Sequence, residues 1–319
     1  MERDARSLNQ PLDAQLVPRF AGPVTFLRLP AATAAAGLDV AMVGIPFDIG
    51  ASFRPGARFG PRGIRDISSL LRPYNRVLGV DPFARLQVAD LGDLRINPLD
   101  TLATLDAIKE QIAGIVGAGA LPLSVGGDHT IGLGTLRGVR AAHGRAVGLV
   151  QIDAHLDTWD SYFGSRYTHG TFLRRAVEEG LVDGGRSIQV GIRGPLFGPD
   201  DWVRNTELGF EVIPAEDVHD RPLSETVARI KGRLGGGPVY VTFEIDSVDP
   251  AFAPGTGTPE VGGLTSLQAI RLVQGLAGLN LVGMELVEVA PAYDSGQVTA
   301  LLAARLLHEF LSVVALREP

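Results

Sequence analysis

The feature that most limits what this chain can fold into is its alternation of short apolar runs with longer amphipathic stretches. Residues 39–45, 86–89, 121–125, 146–152, 187–191, 211–213, 239–245 and 281–286 are of strand length and mostly rich in Val, Ile and Leu, as strands buried on both faces of a sheet are. Residues 61–71, 99–117, 131–142, 170–179, 223–234, 266–276 and 298–316 carry the spacing of helices. Pro61 falls in a first turn, where its missing N–H costs nothing. Strands and helices taking turns predict βαβ units, hence an α/β fold on a mainly parallel sheet. No low-complexity linker divides the chain, and a single domain over 1–319 is expected. Residues 1–30 differ in texture, with Pro11, Pro18, Pro23 and Pro30 among scattered apolar residues. This extension is expected to wrap over the domain or a neighbouring subunit.

The residues that carry chemistry stand just after predicted strands, the edge of an open parallel sheet at which ligands bind. Run 146–152 leads into Asp153-Ala154-His155-Leu156-Asp157. Alternate side chains of an extended segment share a face, so Asp153, His155 and Asp157 can converge on one site. Run 239–245 delivers Glu244 and Asp246 at the same spacing, and His129 follows run 121–125 in Gly126-Gly127-Asp128-His129. Ionisable groups at buried strand ends are costly unless a counter-charge pairs them. Three such ends together point to a metal site rather than to polar loops.

The chain has no Cys, so any ligands are imidazole and carboxylate. That set suits Mn²⁺, with Zn²⁺, Co²⁺ or Ni²⁺ as competitors. The carboxylates of Asp153, Asp157, Glu244 and Asp246 would balance two divalent ions, and a water shared by two ions is acidified into a nucleophile. The pattern predicts a hydrolase. Asp128 reads as a residue that orients rather than ligates. His143, His219 and His308 lack such company and read as structural or surface residues.

Composition excludes several other classes. With 45% hydrophobic and 20% charged residues the chain has material for a real core. A net charge of −7 argues against nucleic acid as a partner. The first residues, Met1-Glu2-Arg3-Asp4-Ala5-Arg6, include no apolar signal core. No uncharged apolar stretch is long enough to span a bilayer. No membrane partner is expected, and the cytoplasm is the default location.

Gly126-Gly127-Asp128-His129-Thr130, Asp153-Ala154-His155-Leu156-Asp157 and Thr242-Phe243-Glu244-Ile245-Asp246-Ser247-Val248-Asp249-Pro250 together resemble the three metal signatures of the ureohydrolase (arginase/agmatinase) family. The resemblance continues through 18–22, 54–61, 251–260 and 287–294, so it covers nearly the whole chain. Within the family it is nearest to bacterial agmatinases, then to guanidino-acid hydrolases. It implies an arginase-like, three-layer αβα fold around an eight-stranded parallel sheet, and two Mn²⁺ per subunit. His129 and Asp157 would hold one ion and His155 and Asp246 the other, with Asp153 and Glu244 bridging the pair. The implied reaction is attack of a bridging hydroxide on a guanidinium carbon, releasing urea and an amine.

Two further residues match functional positions of the family. His169, in Thr168-His169-Gly170-Thr171, matches the histidine that passes a proton to the leaving amine, a task its pKa suits. Glu288 matches the carboxylate that grips the substrate guanidinium through paired N–H bonds. One position departs from the pattern, because Glu244 stands where the family motif has Asp. Its stem is one methylene longer, which leaves three outcomes: a working site with adjusted spacing, a different metal preference, or a weakly active metal-binding homologue. Glu285 also stands where family members often have Asp.

Specificity is expected in the loop after the second metal motif, residues 158–167. Agmatine has an ammonium at its far end, which Asp160, Trp159 and Tyr162 would suit. A guanidino acid would need a cation such as Arg166 or Arg193. The expectation is a small cationic guanidino substrate, agmatine cleaved to putrescine and urea, with a guanidino-acid hydrolase such as 4-guanidinobutyrase as the alternative. The resemblance also implies a homo-oligomer, trimer or hexamer.

Overall fold

The computed structural model describes residues 8–317. Its strands are β1 (Val40–Ile45), β2 (Val88–Asp93), β3 (Leu121–Gly126), β4 (Gly148–Ile152), β5 (Ile188–Ile192), β6 (Glu211–Pro214), β7 (Pro238–Glu244) and β8 (Asn280–Val287). Its helices are α1 (Gly60–Ser68), α2 (Thr101–Gly117), α3 (Ile131–His143), α4 (Phe172–Glu178), α5 (Pro199–Glu207), α6 (Ala215–Asp220), α7 (Leu223–Leu234), α8 (Ser266–Gly275) and α9 (Val298–Val314). The strands form one sheet in the order β2-β1-β3-β8-β7-β4-β5-β6, with every pairing parallel. All eight expected strands are present. Two helices, α5 and α6, were not expected.

The period of two along the strands makes three layers. On β1, Val40 and Met42 join one apolar cluster while Ala41, Val43 and Ile45 join the other. On β7, Val239, Val241 and Phe243 face the first cluster and Tyr240 the second. The first cluster is closed by Ile64 of α1, Ile230 of α7, Leu272 of α8 and Leu307 of α9. The second is closed by Ile108 of α2, Leu136 of α3 and Phe172 of α4. Each such aliphatic side chain withdrawn from water contributes about 1.5–3 kcal/mol, so both faces of the sheet are held.

Local signals start and stop these elements where the layers require. Asp100 caps α2 by accepting from the Ala103 N–H, and Thr265 with Gln268 forms a capping box on α8. Helix α9 is buried along nearly its whole length. With its preceding turn (Ser295–Val314) it is long and apolar enough to cross a membrane, but 78% of that window is buried inside the fold.

Residues 1–7 of the N-terminal extension lie outside the described residues. The remainder runs back over the sheet edge. Asn9 Nδ2 donates to the Val88 carbonyl and Gln10 Nε2 to that of Phe83. The buried Arg28 guanidinium gathers the carbonyls of Leu12, Val17, Pro18 and Ala21.

All the strands run the same way, so their C-terminal ends share one edge. The four central strands are β3, β8, β7 and β4, and the segments leaving them are those that carry His129, Glu288, Glu244 with Asp246, and Asp153 to Asp157. At this edge the chain leaving β3 passes so close to the loop after β1 that a Cβ on Gly127 would lie 2.0 Å from the Phe47 carbonyl oxygen. Only glycine fits there.

Candidate active site

The strand ends bring all six expected ligands together as two groups that share members. His129, Asp153, Asp157 and Glu244 form one, and Asp153, His155, Glu244 and Asp246 form the other. Asp153 and Glu244 belong to both. The longer arm of Glu244 therefore still reaches the place between the two groups, while the spacing it sets differs from what an Asp would give. Asp157 and Glu288 sit in left-handed backbone, with φ of 55° and 66°. A side chain there costs about 1–3 kcal/mol, strain that persists where surrounding structure holds it.

His129 Nδ1 lies 2.5 Å from Glu244, 3.0 Å from Asp157 and 3.3 Å from Asp153. One ring nitrogen carries at most one proton and cannot satisfy three buried carboxylates. Glu244 Oε1, also buried, accepts no hydrogen bond from any described residue. Burial opposes charge on His129, yet Glu244, Asp153 and Asp157 outweigh it and raise its pKa well above the ordinary value. Burial likewise opposes charge on His155, but the carboxylates of Asp246, Asp153 and Asp157 raise it to about 10. Burial and the charge of Asp153 lift Asp157 to about 6, and burial with Asp153 and Asp246 lifts Glu244 well above the usual carboxylate range. An excess of buried negative charge in two oxygen- and nitrogen-lined groups is what divalent cations would relieve.

His169 stands beside this centre. Its Nδ1 is 3.4 Å from Glu288 Oε1, and its Nε2 is 2.8 Å from Ser52 Oγ, an oxygen that can accept from a protonated ring. Burial lowers its pKa, but Glu288, Asp157 and Asp128 more than reverse this and raise it to about 9. Glu288 is tied at both ends of its backbone region: its carboxylate accepts the His129 N–H at 3.0 Å and its own N–H donates to Gly127 at 2.8 Å. Asp128 belongs to neither group. It accepts the N–H groups of Gly50 and Thr130 and so braces the turn that carries Ser52. Sequence reasoning missed Ser52, whose loop follows β1 and lies far from His169 in the chain.

The cavity over the centre is lined by His155, His169, Trp159, Tyr162, Phe197 and Glu260 among others. Trp159 is among its lining residues, its ring tilted against those of Tyr162 at 4.9 Å and Phe197 at 5.1 Å. Asp160 is not brought into it. Its exposed carboxylate is held by Arg175 at 2.8 Å and faces Arg174 at 3.6 Å, because α4 places both arginines beside the loop. Arg166 pairs with Glu178. Arg193 lines the cavity, but its guanidinium donates to the carbonyls of Gly191, Asp246, Ser247, Glu260 and Val261 and has no hydrogen to spare. His143 and His219 are exposed, and His308 is buried in α9 with Nε2 2.8 Å from the Pro73 carbonyl.

Comparison with known proteins agrees with this geometry. The arginase-family model matches residues 38–312. A guanidinobutyrase of Pseudomonas aeruginosa is 47% identical over 312 residues, covering 97% of this chain and 98% of that one. A guanidinopropionase of the same organism is 49% identical over 307 residues, covering 96% of each. The crystal structure of a hypothetical agmatinase from Burkholderia thailandensis superposes with a TM-score of 0.87 at 40% identity, covering 93% of this chain and 92% of that one.

Proposed function

The chain belongs to the arginase family of hydrolases acting on guanidino compounds, and from that premise we propose that it binds two Mn²⁺ and hydrolyses a short ω-guanidino acid to urea and an ω-amino acid. The observation that carries the chemistry is the meeting of two carboxylate-rich ligand groups with Glu288 and His169 at one sheet edge. His129 and Asp157 would hold one ion, His155 and Asp246 the other, and Asp153 and Glu244 both. When bound, the ions supply an acidified water as nucleophile. Glu288 accepts paired N–H bonds from the guanidinium and aims its carbon at the ligand groups. His169, with Nδ1 facing Glu288 and Nε2 facing the Ser52 hydroxyl, gives a proton to the departing amine.

Asp160, the acid that would receive agmatine's ammonium, is committed to Arg175 outside the cavity. The guanidinobutyrase and guanidinopropionase relatives, matched end to end, have names that specify guanidino acids. Arg54, which is not among the residues lining this cavity but follows Ser52 of its wall by two positions, is the candidate cation for the carboxylate. Its guanidinium rests 5.1 Å over the Tyr293 ring and has no carboxylate partner among the described residues. Its backbone lies by the clamp, since a Cβ on Gly257 would be 3.2 Å from both the Arg54 carbonyl and Glu288 Oε2.

One observation favours agmatine as a second reading. Glu260 also lines the cavity, and its carboxylate has no ion-pair partner among the described residues. Urea release from 3-guanidinopropionate, 4-guanidinobutyrate, agmatine and arginine after Mn²⁺ loading decides between them. The guanidino acids are expected to lead, and Arg54→Ala to raise KM for them alone. Agmatine leading, with Glu260→Gln abolishing the preference, would establish the second reading. No urea from any substrate would overturn both.

A further inference from the structure

One row of the sheet runs beneath the ligand groups and is polar throughout. Across β3, β8, β7, β4 and β5 the register places Ser124, Glu285, Thr242, Gln151 and Gln189 side by side. All five are fully buried. A polar row through the middle of a sheet is costly unless its members are bonded, and the bonds here lead to two of the ligands.

The first path ends on His129. Its Nε2 is 2.6 Å from Thr242 Oγ1 and 4.0 Å from Glu285 Oε1, a buried carboxylate oxygen that accepts no hydrogen bond from any described residue. The other Glu285 oxygen receives the hydroxyls of Thr135 at 2.6 Å and Tyr240 at 3.1 Å. The Glu285 carboxylate on this side favours a hydrogen on the nearer ring nitrogen, so Nε2–H would donate to the Thr242 oxygen. With a cation bound, Nδ1 would then present its lone pair on the side of Asp153, Asp157 and Glu244. The fit around Glu285 is close, since a Cβ on Gly132 would lie 2.8 Å from Oε1 and 2.7 Å from the Phe172 ring.

The second path ends on Asp153. Gln151 Nε2 donates to Asp153 Oδ2 at 2.6 Å. Gln189 Nε2 donates to Gln151 Oε1 at 2.7 Å, and Asn205 of α5 donates to Gln189 Oε1 at 2.6 Å. Each amide fixes the next, so Gln151 must present its NH₂ to Asp153.

We propose that Glu285, Thr242 and Gln151 are positioning residues: this row sets the tautomer of His129 and the rotation of the Asp153 carboxylate, and through them the affinity of each metal position. The inference rests on the metal-site reading above but not on the identity of the substrate.

Calorimetric titration of the metal-free protein with Mn²⁺ tests it. Wild type is expected to bind two ions. Thr242→Val should weaken one of them by roughly 10–100-fold, the scale of losses when the outer partner of a ligand is removed, while Thr242→Ser, which keeps the hydroxyl, should restore it. Glu285→Gln added to Thr242→Val should cause no further loss, because both act on one path. Gln151→Met should weaken both ions, since Asp153 belongs to both groups. Melting of the metal-free variants, followed by circular dichroism, separates positioning from general destabilisation. Two ions bound with wild-type affinity by every variant would overturn the proposal, as would equal losses at both positions that track the melting temperature. A wild type that binds no Mn²⁺ would instead overturn the metal-site reading and this inference with it.

Discussion

At the scale of single residues, Glu244 is the side chain whose length decides most. Its carboxylate belongs to both ligand groups and meets His129 at 2.5 Å. Glu244→Asp is expected to withdraw it from one group and lower turnover on the order of 100-fold, as displacements near 1 Å in a reacting centre do, measured as urea release at saturating Mn²⁺. A rise in turnover would show instead that the longer arm restrains the wild-type enzyme. The candidate ligands were legible because apolar runs end in clustered ionisable residues, although segment 153–157 bends after β4 and Asp157 is left-handed, so the period of two is not what brings them together. What spacing could not show was competition from other residues. Asp160 looked free until α4 set Arg175 against it, and Arg193 looked like an available cation until five carbonyls surrounded it. Ser52 was invisible because its role depends on a turn braced by Asp128, far away in the chain.

At the scale of elements, the crossing at Gly127 is the tightest constraint on the site. Gly127→Ala is expected to cost on the order of 3 kcal/mol, because the carbonyl it meets is backbone and cannot swing away; urea unfolding would measure it, and Mn²⁺ affinity should fall as His129 shifts. Helix α9 offers a second test. Burial lowers the pKa of His308, so the folded protein keeps it neutral where the unfolded chain takes a proton. Its contribution is full above the ordinary histidine pKa and is lost as pH falls, so His308→Gln should flatten the decline in stability between roughly pH 7 and pH 5. The strands were easy to read because they are apolar on both sides, and Leu223–Leu234 starts and stops where its spacing indicated. Helices α5 and α6 were missed because they are short and mostly polar, with only Asn205 buried in α5 and with Ala215 and Val218 buried in α6. Their remaining signals were Pro199 with Asp200 and Asp201 in one first turn, and Glu216 with Asp217 in the other.

At the scale of the whole molecule, one of the two ligand groups joins the halves of the sheet, because His129 stands across β8 from its partners. Mn²⁺ at 100 times its dissociation constant should therefore stabilise the fold by about 3 kcal/mol per ion, seen as a rise in melting temperature that a chelator reverses. The sequence alone showed eight strands and their common direction, but not their order. Order is decided by which face each crossover helix covers, and eight similar apolar runs do not encode that individually. In the structure β2, β1 and β3 form one flank and β7, β4, β5 and β6 the other, and β8 lies between them. During synthesis, then, the strand that joins the flanks emerges after all the others. Until it inserts, β3 and β7 each present an unpaired edge, and His129 is on one flank while Asp153, His155, Asp157, Glu244 and Asp246 wait on the other. The group that includes His129 therefore cannot close until β8 is in place, whereas Asp153, His155, Glu244 and Asp246 stand on the neighbouring strands β4 and β7 and can meet before it.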